Sequence, residues 1–294
     1  MTLGEYLADG RARIDAALER LVPAETAYPE TIHRAMRHSL FAGGKRIRPI
    51  LCLAAAESLN AAGEAVVQAA CSLELVHTYS LIHDDLPALD NDDFRRGVPT
   101  CHKVFGEAMA ILAGDALLTL AFQVLAELEH SPAGRSRRMT AELARAAGTI
   151  RGMIGGQVAD LEAAGRETGR AQLEYIHRSK TGALLRASVR IGAIAGGASE
   201  SDFAALSEYG ENIGLAFQIV DDVLDIVGSP ESLGKTPGKD AAQKKATYPQ
   251  LYGLDESRRM ANERLERALA ALAPFAGQAR RLRELAEMIV SRSA

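Results

Sequence analysis

Apolar residues recur along this chain at steps of three and four almost from end to end. Leu3, Leu7, Ile14, Leu18 and Leu21 form one stripe and predict an amphipathic first helix. Pro29 suits the first turn of a second helix reaching about residue 40. The glycine-rich stretch "AGGKRIRP" (42–49) breaks the pattern, and a helix restarts at Pro49. From 64 to about 86 apolar residues cover nearly every side, which marks a central buried helix. Further helices are predicted over 105–129, 137–163, 171–195, 201–227, 255–272 and 277–292, with turn-like segments between them. Nothing alternates long enough for a sheet, and no linker composition divides the chain. The expectation is an all-α fold, a single domain over 1–294.

Composition narrows this further. Ala, Leu, Glu and Arg dominate, aromatics are few and Trp is absent, all of which favours helices. A net charge of -4 argues against nucleic-acid binding. Cys52, Cys71 and Cys101 are scattered without a CxxC pair, so they read as reduced thiols. The charged N-terminus has no apolar signal core. No run approaches ~18 uninterrupted apolar residues, so no membrane span is expected. The expected location is the cytoplasm.

Two acid clusters stand against apolar helices. In "LIHDDLPALDNDDFRRG" (81–97), Asp84 and Asp90 are six residues apart, about 240° around an ideal helix. Pro87 disfavours the helical state at Leu86, so the chain is expected to unwind near 86–89 and bring Asp90 back toward Asp84. In "FQIVDDVLDIVG" (217–228), Asp221 and Asp225 share one helix face in an otherwise apolar segment. Such carboxylates repel each other and resist desolvation unless a cation joins them. Their hard oxygens select Mg²⁺ or Mn²⁺ over zinc. A single acidic run is more often a solvated face, but two on apolar helices are not. A calcium loop fails, since "DNDDFRRGVPTC" has Arg95 where glycine belongs and Cys101 where glutamate belongs. There is no HExxH. The pair His83–Asp84 would suit an HD-type phosphohydrolase, a rival that leaves the second cluster and the arginines unexplained.

Cations complete the pattern. Lys45 and Arg48 follow two glycines, where backbone can approach an anion closely. Arg95 and Arg96 follow the first acids, and Lys180, Lys235, Lys239 and Lys245 lie in turns or at helix ends. Each alone reads as a surface charge. Together with two acid clusters they describe two diphosphate sites, one held by guanidinium groups and one by metal ions.

"GGKRIRP", "DDLPALD" with "RRG", "GQVAD" (156–160), "KTG", "FQIVDDVLD", "LGKTPGKD" and "KKATYP" together resemble the trans-isoprenyl diphosphate synthases, most of all the bacterial short-chain farnesyl type. The resemblance runs essentially the full length. Terpene cyclases also carry an aspartate-rich motif, but they have an Asn/Ser/Glu motif where this chain has Asp221, Asp222 and Asp225.

The resemblance implies a helical bundle around a deep central cavity, generally a homodimer, joining isopentenyl diphosphate to allylic diphosphates. It implies three Mg²⁺ ions on Asp84, Asp90 and Asp221, with Asp85, Asp222 and Asp225 direct or water-mediated ligands. Arg95, Lys180, Thr181, Gln218, Lys235 and Lys245 would serve the allylic diphosphate. Lys180, Thr181 and Gln218 would also offer dipoles to an allylic cation. Lys45, Arg48, His77 and Arg96 would hold isopentenyl diphosphate. Tyr79, five residues before Asp84, would lie about 7.5 Å deeper along the helix and act as a floor for the prenyl tail, giving mainly a C15 product. Geranyl or geranylgeranyl products, and a non-catalytic subunit of a heteromeric synthase, are the alternatives. His83 is expected to be structural, His102 to serve a loop, and Gly155, Gly156 and Gln157 either to pack helices closely or to support the site.

Overall fold

The computed structural model describes residues 1–128, 132–227 and 246–291. Helix α1 (Leu3–Leu21) starts with a capping box, in which the Thr2 hydroxyl accepts from the Glu5 amide and the Glu5 carboxylate accepts from the Thr2 amide. Helix α2 (Glu30–Leu40) follows, and α3 (Ile47–Glu57) carries Pro49 in its first turn. Helix α4 (Glu64–Asp84) is buried along almost its whole length. Strands β1 (Phe94–Arg95) and β2 (Val98–Pro99) form a small antiparallel hairpin, pairing Phe94 with Pro99 and Arg95 with Val98. Helix α5 (Cys101–Phe105) is separated from α6 (Glu107–Ala126) by Gly106, whose φ of 84° stops the first from running into the second.

The second half contains α7 (Ala133–Ala147), α8 (Met153–Ala163) and α9 (Arg170–His177). A π-helical turn, Arg178–Gly182, leads into α10 (Ala183–Gly196). Then come α11 (Glu200–Val227), α12 (Tyr248–Tyr252), α13 (Leu254–Ala271), a 3₁₀ turn (Ala273–Ala279) and α14 (Arg280–Ser291). The all-α expectation holds, with the hairpin as the one β element among the described residues.

Two apolar clusters fill the interior. One gathers α1, α4, α6 and α7; the other gathers α11, α13 and α14. Both α3 and α10 contribute to each cluster, so their crossing joins the two halves. Gly192 makes that crossing close, because a Cβ there would overlap the Cys52 carbonyl. By length and hydropathy α4 and α6 would suffice to cross a membrane. For α4 the explanation is its place in the core, with 72% of its apolar window buried, whereas α6 buries 39% and leaves Ile111 and Leu112 exposed.

Two sequence-predicted helices are divided. The one expected over 137–163 is broken between α7 and α8, where Gly148 and Gly152 flank Arg151 in a left-handed conformation (φ 54°). The one expected over 171–195 contains the π turn, which inserts a residue without ending the helix. Periodicity sees neither, because the first is a local backbone reversal and the second depends on what packs against it. Gly156 of α8 lies directly on the backbone of Ser179 and Lys180, so even a Cβ there would overlap backbone that cannot give way. Gly156→Ala is therefore expected to push α8 off the π turn, costing about 1–3 kcal/mol of stability. Chemical denaturation checks this, and helical circular dichroism should be preserved.

Candidate active site

A cavity of about 540 Å³ lies among α4, α8, the π turn and α11. Its acids come first from the end of α4. The helix stops at Asp84, slightly before the expected unwinding, and the chain reverses through Pro87. The Asp90 amide then donates to the Asp84 carbonyl at 2.8 Å, bringing Asp90 back beside the helix end. Both Asp84 and Asp90 line the cavity. Asp85 turns the other way. Its buried carboxylate accepts from Arg95 Nε at 2.7 and 2.9 Å, with Arg95 Nη2 at 2.5 Å. Asp85 therefore orients Arg95, which lines the cavity, while Asp85 itself does not.

Opposite stand residues of α11. Asp221, Asp222 and Gln218 line the cavity. Asp222 accepts from the Tyr248 amide at 2.8 Å and lies 3.6 Å from His177 Nε2, so it docks the start of α12 onto α11. Asp225, one turn further on, is buried but not on the cavity lining, and its Oδ1 has no hydrogen-bond partner among the described residues.

The π turn supplies the facing cation. Lys180 and Thr181 line the cavity, and Lys180 Nζ donates to Asp160 Oδ2 at 2.7 Å. Asp160 lies four residues after Gly156 on α8, so the glycine that lets α8 touch the turn also brings the carboxylate to the amine. Two further residues escaped the sequence reading. Asp160 sat within "GQVAD" without an assigned role. His177 sits three residues before Lys180, stacked on Tyr248 with ring centroids 5.3 Å apart. Burial pushes the His177 pKa down to about 4, against the nearby Asp160 charge, so the ring is neutral. Gln157 also lines the cavity, and its buried Oε1 has no partner among the described residues.

The basic residues divide. Arg48 and His77 line the cavity; burial lowers the Arg48 pKa to about 10 and keeps His77 neutral, helped by the surrounding arginines. Arg96 instead lines a smaller neighbouring cavity with Asp85 and Arg95, and its Nη1 donates to the Gly43 carbonyl. Lys45 is exposed and lines neither cavity. Lys235, Lys239 and Lys245 lie outside the described residues. Tyr79 is buried on the cavity wall, edge-on to His83 at 5.7 Å, and its hydroxyl has no partner among the described residues. His83 Nε2 bonds the Ile111 carbonyl at 3.0 Å and packs over Gly114, which commits the ring to the α4–α6 contact. His102, buried beside the Thr100 hydroxyl, serves the loop before α5.

An all-helical bundle with acids on two facing helices, and cations and an apolar wall between them, defines the class of isoprenoid-diphosphate enzymes. The polyprenyl synthetase family model matches residues 29–286, and the chain belongs to that family. A dimethylallyltranstransferase of Fischerella ambigua is 50% identical over 99% of this chain and 84% of its own length. A geranylgeranyl diphosphate synthase of Cyanophora paradoxa is 46% identical over 98% and 96%. The crystal structure of an FPP/GFPP synthase from Zymomonas mobilis superposes with a TM-score of 0.88 at 36% identity, covering 98% of each chain. The chain is a short-chain prenyltransferase that condenses isoprenoid diphosphates.

The acids carry an electrostatic cost. Burial raises the Asp84 pKa from 3.8 to about 6; Asp90 and Asp85 add to the rise, and Lys180 and Arg95 oppose it. The folded state thus favours protonated Asp84. That contribution is fully present below pH ~4 and is lost as pH rises through about 6, amounting to about 3 kcal/mol. In EDTA, wild-type protein should lose stability between pH 5 and pH 8, while Asp84→Asn should lose much less and be the more stable at pH 8. Urea denaturation at the two pH values checks this.

Proposed function

We propose that this prenyltransferase joins isopentenyl diphosphate head to tail with dimethylallyl and then geranyl diphosphate, yielding mainly the C15 farnesyl diphosphate. The observation that carries the reading is one cavity with acids at the end of α4 and on α11, and Tyr79 on its wall. The apolar side chains of Met153, Ile154, Val158 and Leu161 line the same space and suit a prenyl tail.

The residues fit Mg²⁺. Among the described residues no three acidic, histidine or cysteine side chains form a ready-made cage. Mg²⁺ does not require one, since it typically takes one or two carboxylates together with waters and substrate phosphate oxygens. The unfavourable ionisation of Asp84 in the metal-free protein is what a cation would relieve. Asp84, Asp90 and Asp221 would hold the ions, with Asp225 in support. Bound Mg²⁺ supplies charge neutralisation for the departing diphosphate.

The chain's own groups do the rest. Arg95, fixed by Asp85, and Lys180 bind the allylic diphosphate and stabilise the charge that grows on it as its C–O bond breaks. Lys180, Thr181 and Gln218 turn dipoles toward the allylic cation. Arg48 and His77, together with Lys45 and Arg96, orient isopentenyl diphosphate so that its double bond attacks that cation. The apolar side chains on the cavity wall offer water no hydrogen-bonding partner beside the cation. Lys235 and Lys245 are assigned to the allylic diphosphate by family resemblance alone. An HD-type hydrolase role finds no support, because His83 is engaged between α4 and α6. The exposed apolar residues of α6 support a homodimer, and the composition supports a cytoplasmic location.

Incubation with isopentenyl and dimethylallyl diphosphates should give a C15 product with Mg²⁺ and none in EDTA. Activity unaffected by EDTA would remove the metal reading. Tyr79→Ala should lengthen the product to C20 or beyond with little loss of first-step rate, as followed by product chromatography. An unchanged product length would assign the limit to another residue.

A further inference from the structure

Arg46 lies between Lys45 and Arg48 in sequence, yet faces the protein interior. It is 3% exposed and adopts a left-handed conformation (φ 51°) at the start of α3. Its guanidinium is bonded on three sides. Nε donates to Asp15 of α1 at 2.8 Å, Nη1 to Glu74 of α4 at 2.8 Å, and Nη2 to the Leu40 carbonyl closing α2, also at 2.8 Å. Glu74 is 2% exposed and stands one helical turn before His77.

A buried ion pair seldom stabilises a fold more than apolar residues of the same size would. Its position here suggests another use. Glu74 is the charge that most favours protonated Arg48 and Arg96, acting against the burial of both. Arg96 in turn lies against Gly44 and donates to the Gly43 carbonyl, on the loop that Arg46 anchors. The Glu74 carboxylate, bonded to Arg46 and one helical turn from the cavity-lining His77, thus sets a negative charge beside the cations where a diphosphate is proposed to bind.

We propose that Glu74, clamped by Arg46, is the built-in counter-charge of the isopentenyl diphosphate subsite, holding Arg48 and Arg96 together before the diphosphate arrives and setting its affinity by competing for them. This rests on the functional reading above. Arg46 and Glu74 act through other residues and are positioning residues. The competition gives the two opposite signs. Removing Arg46 leaves Glu74 to draw on Arg48 and Arg96, which weakens diphosphate binding. Removing the Glu74 charge takes an anion away from an anion site, which tightens it.

Calorimetric titration with isopentenyl diphosphate alone, in EDTA, reads the basic subsite without turnover. Arg46→Met should weaken binding about tenfold and Glu74→Gln should tighten it about tenfold. The double variant should return to near the wild-type value. Circular dichroism establishes that each variant is folded. Should Arg46→Met not fold, Glu74→Gln, which leaves Arg46 a hydrogen-bond acceptor, decides alone. Affinity unchanged or weakened in Glu74→Gln overturns the proposal, as do two single variants that shift in the same direction. If wild-type protein binds no isopentenyl diphosphate, the functional reading itself falls and this proposal with it; binding by the wild type with shifts of the wrong sign overturns the counter-charge role alone.

Discussion

Removing an ionised group from water costs several kcal/mol unless an opposite charge accompanies it. This protein is arranged around that cost. Three charges brought to the interior are each paired with an opposite one: Arg95 with Asp85, Lys180 with Asp160, Arg46 with Glu74. Asp84 is not balanced in this way, since its nearby cations do not offset burial and its acid neighbours. The imbalance sits on the cavity lining, where a bound cation would cancel it.

Glycines do the complementary work. Gly156 against Lys180, Gly192 against Cys52 and Gly214 against Gly182 let helices approach at backbone distance. The cavity can then be walled by helix surfaces that meet closely at their crossings. The π turn depends on this, because its wide backbone is seated on both α8 and α11.

Much of this was legible in the chain. The helical periodicity, the interruption at Pro87 and the two acid segments are local signals, and the return of Asp90 follows from proline geometry. Less legible were features that depend on distant neighbours. The π turn reads as plain helix because its periodicity is nearly unbroken. Arg46 reads as one more cation beside Lys45, and only the three-way approach of Asp15, Glu74 and Leu40 shows that it points inward. Asp225 shares a helix face with Asp221 but lies past the edge of the cavity. Asp85 and Asp84 are adjacent and indistinguishable in sequence, yet the helix end sends them to opposite tasks.

Helix α4 carries Glu74, His77, Tyr79 and Asp84 in succession. On the function proposed above, anion balance, tail length and the acid end would be marks on one rigid ruler, spaced by a fixed rise of about 1.5 Å per residue. A change of side chain at one mark does not move the others, because the helix backbone sets their separation. On that reading the scaffold would be tuned to a longer or shorter hydrocarbon by substitution alone, without insertion or deletion. With Tyr79 as the floor, a different prenyl length on this fold would need no more than a change in which graduation is occupied by a bulky ring.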